Sequence, residues 1–227
     1  ISSQSLSSIT EASNAMRMLA QNGLNAEQSL AVLPKILDLA VVGEMSVGQA
    51  ALSVTGAVSA FGLSISDAGR VADIFSQTAA TSNTSVLAMT ESMKQASTVS
   101  ALFGLTIEET AASLGVLAKI NIVGSAAGTA LTNMVTGLYE PTYKAQKILQ
   151  QLKITTDDGS GGLKTYTNLM LELKSALAGL TDSEQVKALG GLFTVRGTKS
   201  ATAITENIDS LILKTKEAAE ATGFMRF

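Results

Sequence analysis

Four groups of side chains in this 227-residue chain have types and spacings that invite chemistry. Glu108 and Glu109 are adjacent carboxylates, and Glu140 and Glu172 complete the set from which a glycoside-hydrolysing acid pair could be drawn. Their settings argue otherwise. Glu108 and Glu109 follow Thr106, where they suit the first turn of a helix. Glu140 precedes Pro141 at a helix boundary, and Glu172 falls on a polar helix face. Asp157-Asp158-Gly159 could touch a cation, but it lacks the alternating oxygen ligands of a calcium loop and reads better as a solvated turn. Gly124-Ser125-Ala126-Ala127-Gly128-Thr129 has the glycines of a phosphate loop without its lysine or its spacing. Arg196, in Gly191-Leu192-Phe193-Thr194-Val195-Arg196-Gly197, stands between an apolar run and a helix start. There a cation either answers a helix dipole or serves an interface.

Composition narrows the chemistry further. The chain has no Cys and no His, which removes disulfides, thiolate nucleophiles, Cys/His zinc sites and the commonest general base. A net charge of −3 does not favour nucleic acid, so DNA is expected only by proximity. Hydrophobic residues make up 46%, ample for a core, while charged residues are 15%, below the usual quarter or so. The first residue is Ile and residues 1 to 12 are mostly polar, so a piece of a longer protein, or a processed one, is expected and no signal peptide is visible.

The elements that would position these groups are helices. Gly23-Leu24-Asn25, Gly62-Leu63-Ser64 and Gly104-Leu105-Thr106 repeat one phrase, Gly-Leu followed by a helix-capping residue, at spacings of 39 and 42. Asn25 with Gln28 and Thr106 with Glu109 have capping-box spacing. Ser46, Ser64 or Ser66, and Ser85 are further helix starts, and Thr81 to Thr84 is a polar break. Pro34 interrupts the apolar run Leu30, Leu33, Leu37, so a kink or stop is expected there. Pro141 fits the first turn of a helix over 141–152. A loop or short β-hairpin is expected over 154–164, then helices over 165–179, 182–190 and 197–221.

Two stretches carry no charge, Met45 to Ser66 and Ile120 to Tyr139. Each approaches the roughly 20 residues that cross a bilayer. Their many Ser, Thr, Gln, Asn and Gly residues favour buried helices of a bundle over membrane spans. Gly124 and Gly128 form a small-xxx-small pair, which permits close helix contact in either setting.

Read together, residues 62 to 205 resemble the core region of phage tail tape measure proteins, the minor tail proteins of long-tailed phages and prophages. Ala72-Asp73-Ile74-Phe75, Phe103-Gly104-Leu105-Thr106-Ile107-Glu108-Glu109, Gly124 through Leu131, Pro141 with the helix ending Leu149 through Ile154, Gly162-Leu163-Lys164 and Leu192 through Gly197 resemble its phrases in the family's order. Thr132, Lys153 and Thr194 depart from it, standing where the family often has Arg, Gly and Gly.

The expected fold is all-α, an array of stacked helical hairpins. Its parts are an N-terminal helix over 1–22 connecting to upstream sequence, hairpin repeats over 23–153, and a loop with C-terminal helices over 154–227 packed on the repeats. Gly23, Gly62, Gly104, Gly124, Pro141 and Gly197 are read as helix-boundary residues and Arg196 as an interface residue. No catalytic, metal or cofactor residue is assigned. The resemblance implies a structural role in tail length determination, tail tube assembly and DNA passage into the host, in the tail lumen of the virion and in the host cytoplasm during assembly. It also implies tail tube protein, tail assembly chaperones and tail-tip or baseplate proteins as partners, with homo-oligomerisation. The alternatives are a segment that inserts in the host membrane and a wall-degrading enzyme.

Overall fold

The computed structural model describes the backbone over 2–193 and 195–220, with side chains at residue 10 and over 12–193 and 198–220. Among these residues there are twelve α-helices and no strand. They are α1 (Ser2–Gln21), α2 (Ala26–Val42), α3 (Val47–Ala60), α4 (Ala68–Ala80), α5 (Val86–Leu102), α6 (Ile107–Lys119), α7 (Gly124–Tyr139), α8 (Tyr143–Gln151), α9 (Tyr166–Ala178), α10 (Asp182–Leu192), α11 (Val195–Glu206) and α12 (Ile208–Ala219). A single 3-10 turn, Ile65–Asp67, precedes α4. The fold is all-α.

The repeated phrase is a repeated chain reversal. Gly23, Gly62 and Gly104 all take positive φ, at 89°, 61° and 78°. In each case the next residue donates its N–H to a carbonyl five positions back: Leu24 to Leu19, Leu63 to Val58, Leu105 to Ser100. This closure satisfies carbonyls that a helix end leaves bare, and the left-handed residue it needs is most cheaply glycine. The residue after each Leu then caps the next element. The Asn25 and Thr106 side chains accept from the N–H groups of Gln28 and Glu109, and Ser64 caps the 3-10 turn. The phrase therefore closes one helix and opens another within three residues.

Three hairpins result, α2–α3, α4–α5 and α6–α7, and they stack side by side in two layers. The first helices pack in the order α2, α4, α6, and the second helices in the order α3, α5, α7. Helix α1 precedes α3 in the second layer, packed on α2 and α3 as α3 packs on α4 and α5. At the far end α12 packs on α6 and α4, while α11 packs on α7 and α9. One contiguous apolar core runs from Ala15 to Ala218 through the stack. Ile36, Phe75 and Leu117, one on each first-layer helix, are fully buried. Burial of such side chains contributes about 1.5–3 kcal/mol each.

Local expectations differ from the structure at four places. Of the kink or stop expected at Pro34, the stop does not occur, since α2 continues through it. The carbonyl that loses its donor belongs to Leu30, on the exposed side of the helix, where water can serve it. Pro141 lies just before the N-cap Thr142 and outside α8. The helix expected over 197–221 is two, broken at Asn207, whose side-chain amide donates to the carbonyl of Ala203 at 2.8 Å. That bond offers the chain an alternative to continued helix. Ile204 of α11 and Leu211 of α12 are both fully buried on either side of it. The 154–164 segment makes one antiparallel bridge, Asp157 with Leu163, in place of a full hairpin.

Candidate functional site

Two acidic residues of the stack, Asp73 and Glu108, hold one hairpin to the next. Lys35 of α2 donates to both carboxylate oxygens of Asp73 on α4, at 2.9 and 3.2 Å. Arg70 of α4 donates to Glu108 of α6. Asn83 and Asn121, in the loops after α4 and α6, are hydrogen bonded at 3.0 Å. All three pairs span 38 positions, so the polar contacts share the period of the fold. Asp73 is buried and Lys35 only partly exposed, which makes this pair costly to break from one side.

Glu109 joins the repeats to the C-terminal helices. One of its oxygens accepts from the Thr106 N–H at 3.1 Å, the capping-box bond, and the other from the Thr167 hydroxyl of α9 at 2.5 Å. The Glu109 side chain is buried beside Tyr139 and Tyr166. Burial first, and then the Glu109 carboxylate, push the Tyr139 phenol above its ordinary pKa; burial dominates at Tyr166 as well, so both rings stay neutral. Tyr139 uses its hydroxyl on the carbonyl of Lys164 at 2.8 Å and stacks on Phe103 at 5.1 Å. The Glu108-Glu109 carboxylates that invited an acid-pair reading are thus occupied by a guanidinium, a helix N-terminus and a threonine.

The other chemical candidates have comparable settings. Asp158 accepts from the N–H and hydroxyl of Ser160 and from the Gly162 N–H, at 2.7–3.0 Å. These bonds hold its carboxyl below the ordinary range. Among the described residues no cluster of three Asp or Glu side chains is placed to hold a metal ion. Gly124 and Gly128 lie where α7 meets α5. The Ser92 hydroxyl donates to the Gly124 carbonyl at 2.8 Å, and a Cβ at Gly128 would overlap the Ser92 carbonyl oxygen. Gly197 falls inside α11, and the side chain of Arg196 lies outside the described residues. No single described helix is long and apolar enough to cross a membrane. Helices α6 and α7 pass by length and composition only as a pair bent by 118°.

A family model described as "Phage-related minor tail protein" matches residues 2–194. The chain belongs to that family. This minor tail family member is 36% identical over 186 residues to a protein of Pneumococcus phage Dp-1 named "Tape measure protein", a match that covers 82% of the chain and 16% of the relative. It is 28% identical over 189 residues to the "Probable tape measure protein" of Escherichia phage P2, covering 81% of the chain and 23% of the relative. The tail-family chain therefore spans less than a quarter of either curated relative. No solved structure matches it. The family and relative names point to a structural and not an enzymatic role.

One residue of this tail-family chain was not visible as a site in the sequence. Lys214 of α12 is buried, and its ammonium donates to the Thr81 carbonyl at 2.7 Å and the Thr81 hydroxyl at 3.0 Å, at the C-terminal end of α4. Its position on the apolar stripe Leu211, Lys214, Ala218 was the available signal. Gly115 of α6 makes room for this meeting, since a Cβ there would lie 2.6 Å from the Ser82 hydroxyl and 3.6 Å from Lys214 Cδ.

Proposed function

We propose that this chain is a structural and assembly module of a tape measure protein, contributing to tail length determination, tail tube assembly and DNA passage into the host. The observation that carries the reading is the conjunction of family and form. The match to tape measure proteins covers more than four-fifths of the chain, and the fold over that match is a stack of short hairpins. A ruler works by extended length, about 1.5 Å per residue of continuous helix. No helix among the described residues exceeds 20 residues. The module is therefore a compact body carried by a ruler and distinct from its shaft. In this reading its partners are the tail tube protein, the tail assembly chaperones and the tail-tip or baseplate proteins, with several copies in the tail lumen. It passes through the host cytoplasm during assembly.

In-frame deletions in the parent phage test this. Deletions in shaft helix outside the module should shorten tails by about 1.5 Å per residue. Removal of α4–α7 should abolish tails. Proportionally shorter, intact tails after that removal would overturn the module reading.

A further inference from the structure

The stack leaves one first-layer face uncovered, on α2. Offsets of 39 and 42, set by the caps Asn25, Ser64 and Thr106, align the first helices of the three hairpins. Leu30 then corresponds to Gly69 and Ala111, Pro34 to Asp73 and Gly115, and Leu37 to Ser76 and Ala118. On α4 and α6 these positions face the preceding first-layer helix. Gly69 lies against Lys35 of α2, with 3.4 Å from an added Cβ to Lys35 Cγ, and Asp73 holds the Lys35 ammonium. Gly115 lies against Thr78 of α4. Asp73, Ser76, Ala111 and Ala118 are buried there. On α2 the same positions are less covered: Leu30 is 62% exposed, Pro34 is exposed and Leu37 is partly buried, while the partly buried Leu33 and the 78% exposed Val41 extend the stripe. Helix α1 occupies a second-layer place, packed on α2 and α3 in the manner of α3 and α5, but the described residues include no first-layer helix before α2.

We propose that the Leu30–Leu33–Leu37–Val41 stripe of α2 is the docking surface for the first helix of one further hairpin, whose second helix is α1, supplied by polypeptide upstream of Ile1. Charge supports this occupant. Glu27 is the counterpart of Glu108, which receives Arg70 from the preceding helix, and Glu27 is exposed at the head of α2. The incoming helix should present a Lys or Arg to Glu27 and small or apolar residues to the stripe. A second copy of α2 is a poor occupant. Antiparallel pairing would place Glu27 and Asp38 of both copies along one seam, while Lys35 is engaged with Asp73. The relatives are more than four times longer than the matched region, so proteins of this kind do carry such polypeptide outside it.

The test compares the 227-residue chain with the natural reading frame extended upstream by about 40 residues, one repeat. Hydrogen exchange is followed at the α2 amides of both. The extension should slow exchange across Ala26–Val42 by about tenfold or more and leave α7 unchanged. Leu30→Glu and Glu27→Lys, both at exposed positions, should leave α2 exchange in the 227-residue chain as it was and remove most of the gain in the extended one. Unchanged α2 exchange on extension overturns the proposal. So does a dimer of the 227-residue chain that Leu30→Glu dissociates, which would make a second copy the occupant.

Discussion

The ammonium of Lys214 sits 2.7 Å from the carbonyl oxygen of Thr81, which lies 133 positions earlier at the end of α4. A cation at a helix C-terminus completes carbonyls that would otherwise be bare, and it opposes the negative end of the dipole. This contact fastens α12, the last described helix, to the middle hairpin. Replacement of Lys214 by Met keeps the stem and removes the donor. A loss of about 1–3 kcal/mol is expected from chemical denaturation.

Lys214 also makes a pH signature. Burial first, and then Lys119, hold its ammonium below the ordinary lysine range. The folded pKa is thus below the unfolded one, near 10.4. The charged form is disfavoured in the fold at neutral pH, and that penalty fades as pH rises through the folded value toward the unfolded one. Stability of the native chain should therefore gain on that of Lys214→Met over this alkaline range. Parallel denaturation curves against pH measure it, and a flat difference would count against a buried charged lysine.

Two glycines in second-layer helices should respond oppositely to alanine. Gly128 of α7 has no room, because its Cβ would overlap the Ser92 carbonyl of α5. Gly128→Ala should cost about 1–3 kcal/mol. Gly56 lies inside α3 with no atom within 4 Å of an added Cβ. Gly56→Ala should stabilise by about 0.5–1 kcal/mol, from helix propensity alone. Thermal melts of the two variants side by side decide this.

Lys153 takes φ 58° in a closure where Ile154 donates to the Leu149 carbonyl, the same pattern as at Gly23, Gly62 and Gly104. A non-glycine residue in this region is strained. Lys153→Gly should raise stability by about 0.5–1 kcal/mol, and Gly62→Ala should lower it by about 1 kcal/mol.

The loop around Asp158 should be sensitive to acid. Hydrogen bonds from Ser160 and Gly162 lower the Asp158 carboxyl below its unfolded value of about 3.9. Their ordering effect is complete above that value and is lost as pH falls through the lower, folded one. Amide shifts of Ser160 and Gly162 should titrate together below pH ~4. In Asp158→Asn they should not titrate with it.

The fold was legible in the sequence wherever a local device announced itself. The Gly-Leu-cap phrase marked the closures at 23, 62 and 104 because a left-handed residue and a capping side chain each have a narrow chemical repertoire. The closures at Glu44, Asn121 and Lys153 use the same left-handed backbone without glycine and carry no such mark. The Asn207 break was hidden because the helical pattern continues through it; tertiary packing and one side-chain amide decide it. The Lys35–Asp73 and Arg70–Glu108 pairs were hidden as well, since their partners meet only once the repeats are stacked. The carboxylates at Glu108 and Glu109 could be read as helix-start residues, but what engages them comes from α4 and α9.

The 38-position span shared by the Lys35–Asp73, Arg70–Glu108 and Asn83–Asn121 bonds sets a grain for change in length. Adding or deleting one whole hairpin returns every joining surface to a surface of the same kind, and the junction energy is conserved to first order. A change of half a hairpin brings a first-layer helix against a second-layer face, with the basic and acidic partners out of register. The fold of this region, as distinct from its role in tails, should therefore accept duplication or deletion in steps of about forty residues. Between those steps the chain has no matching face to offer.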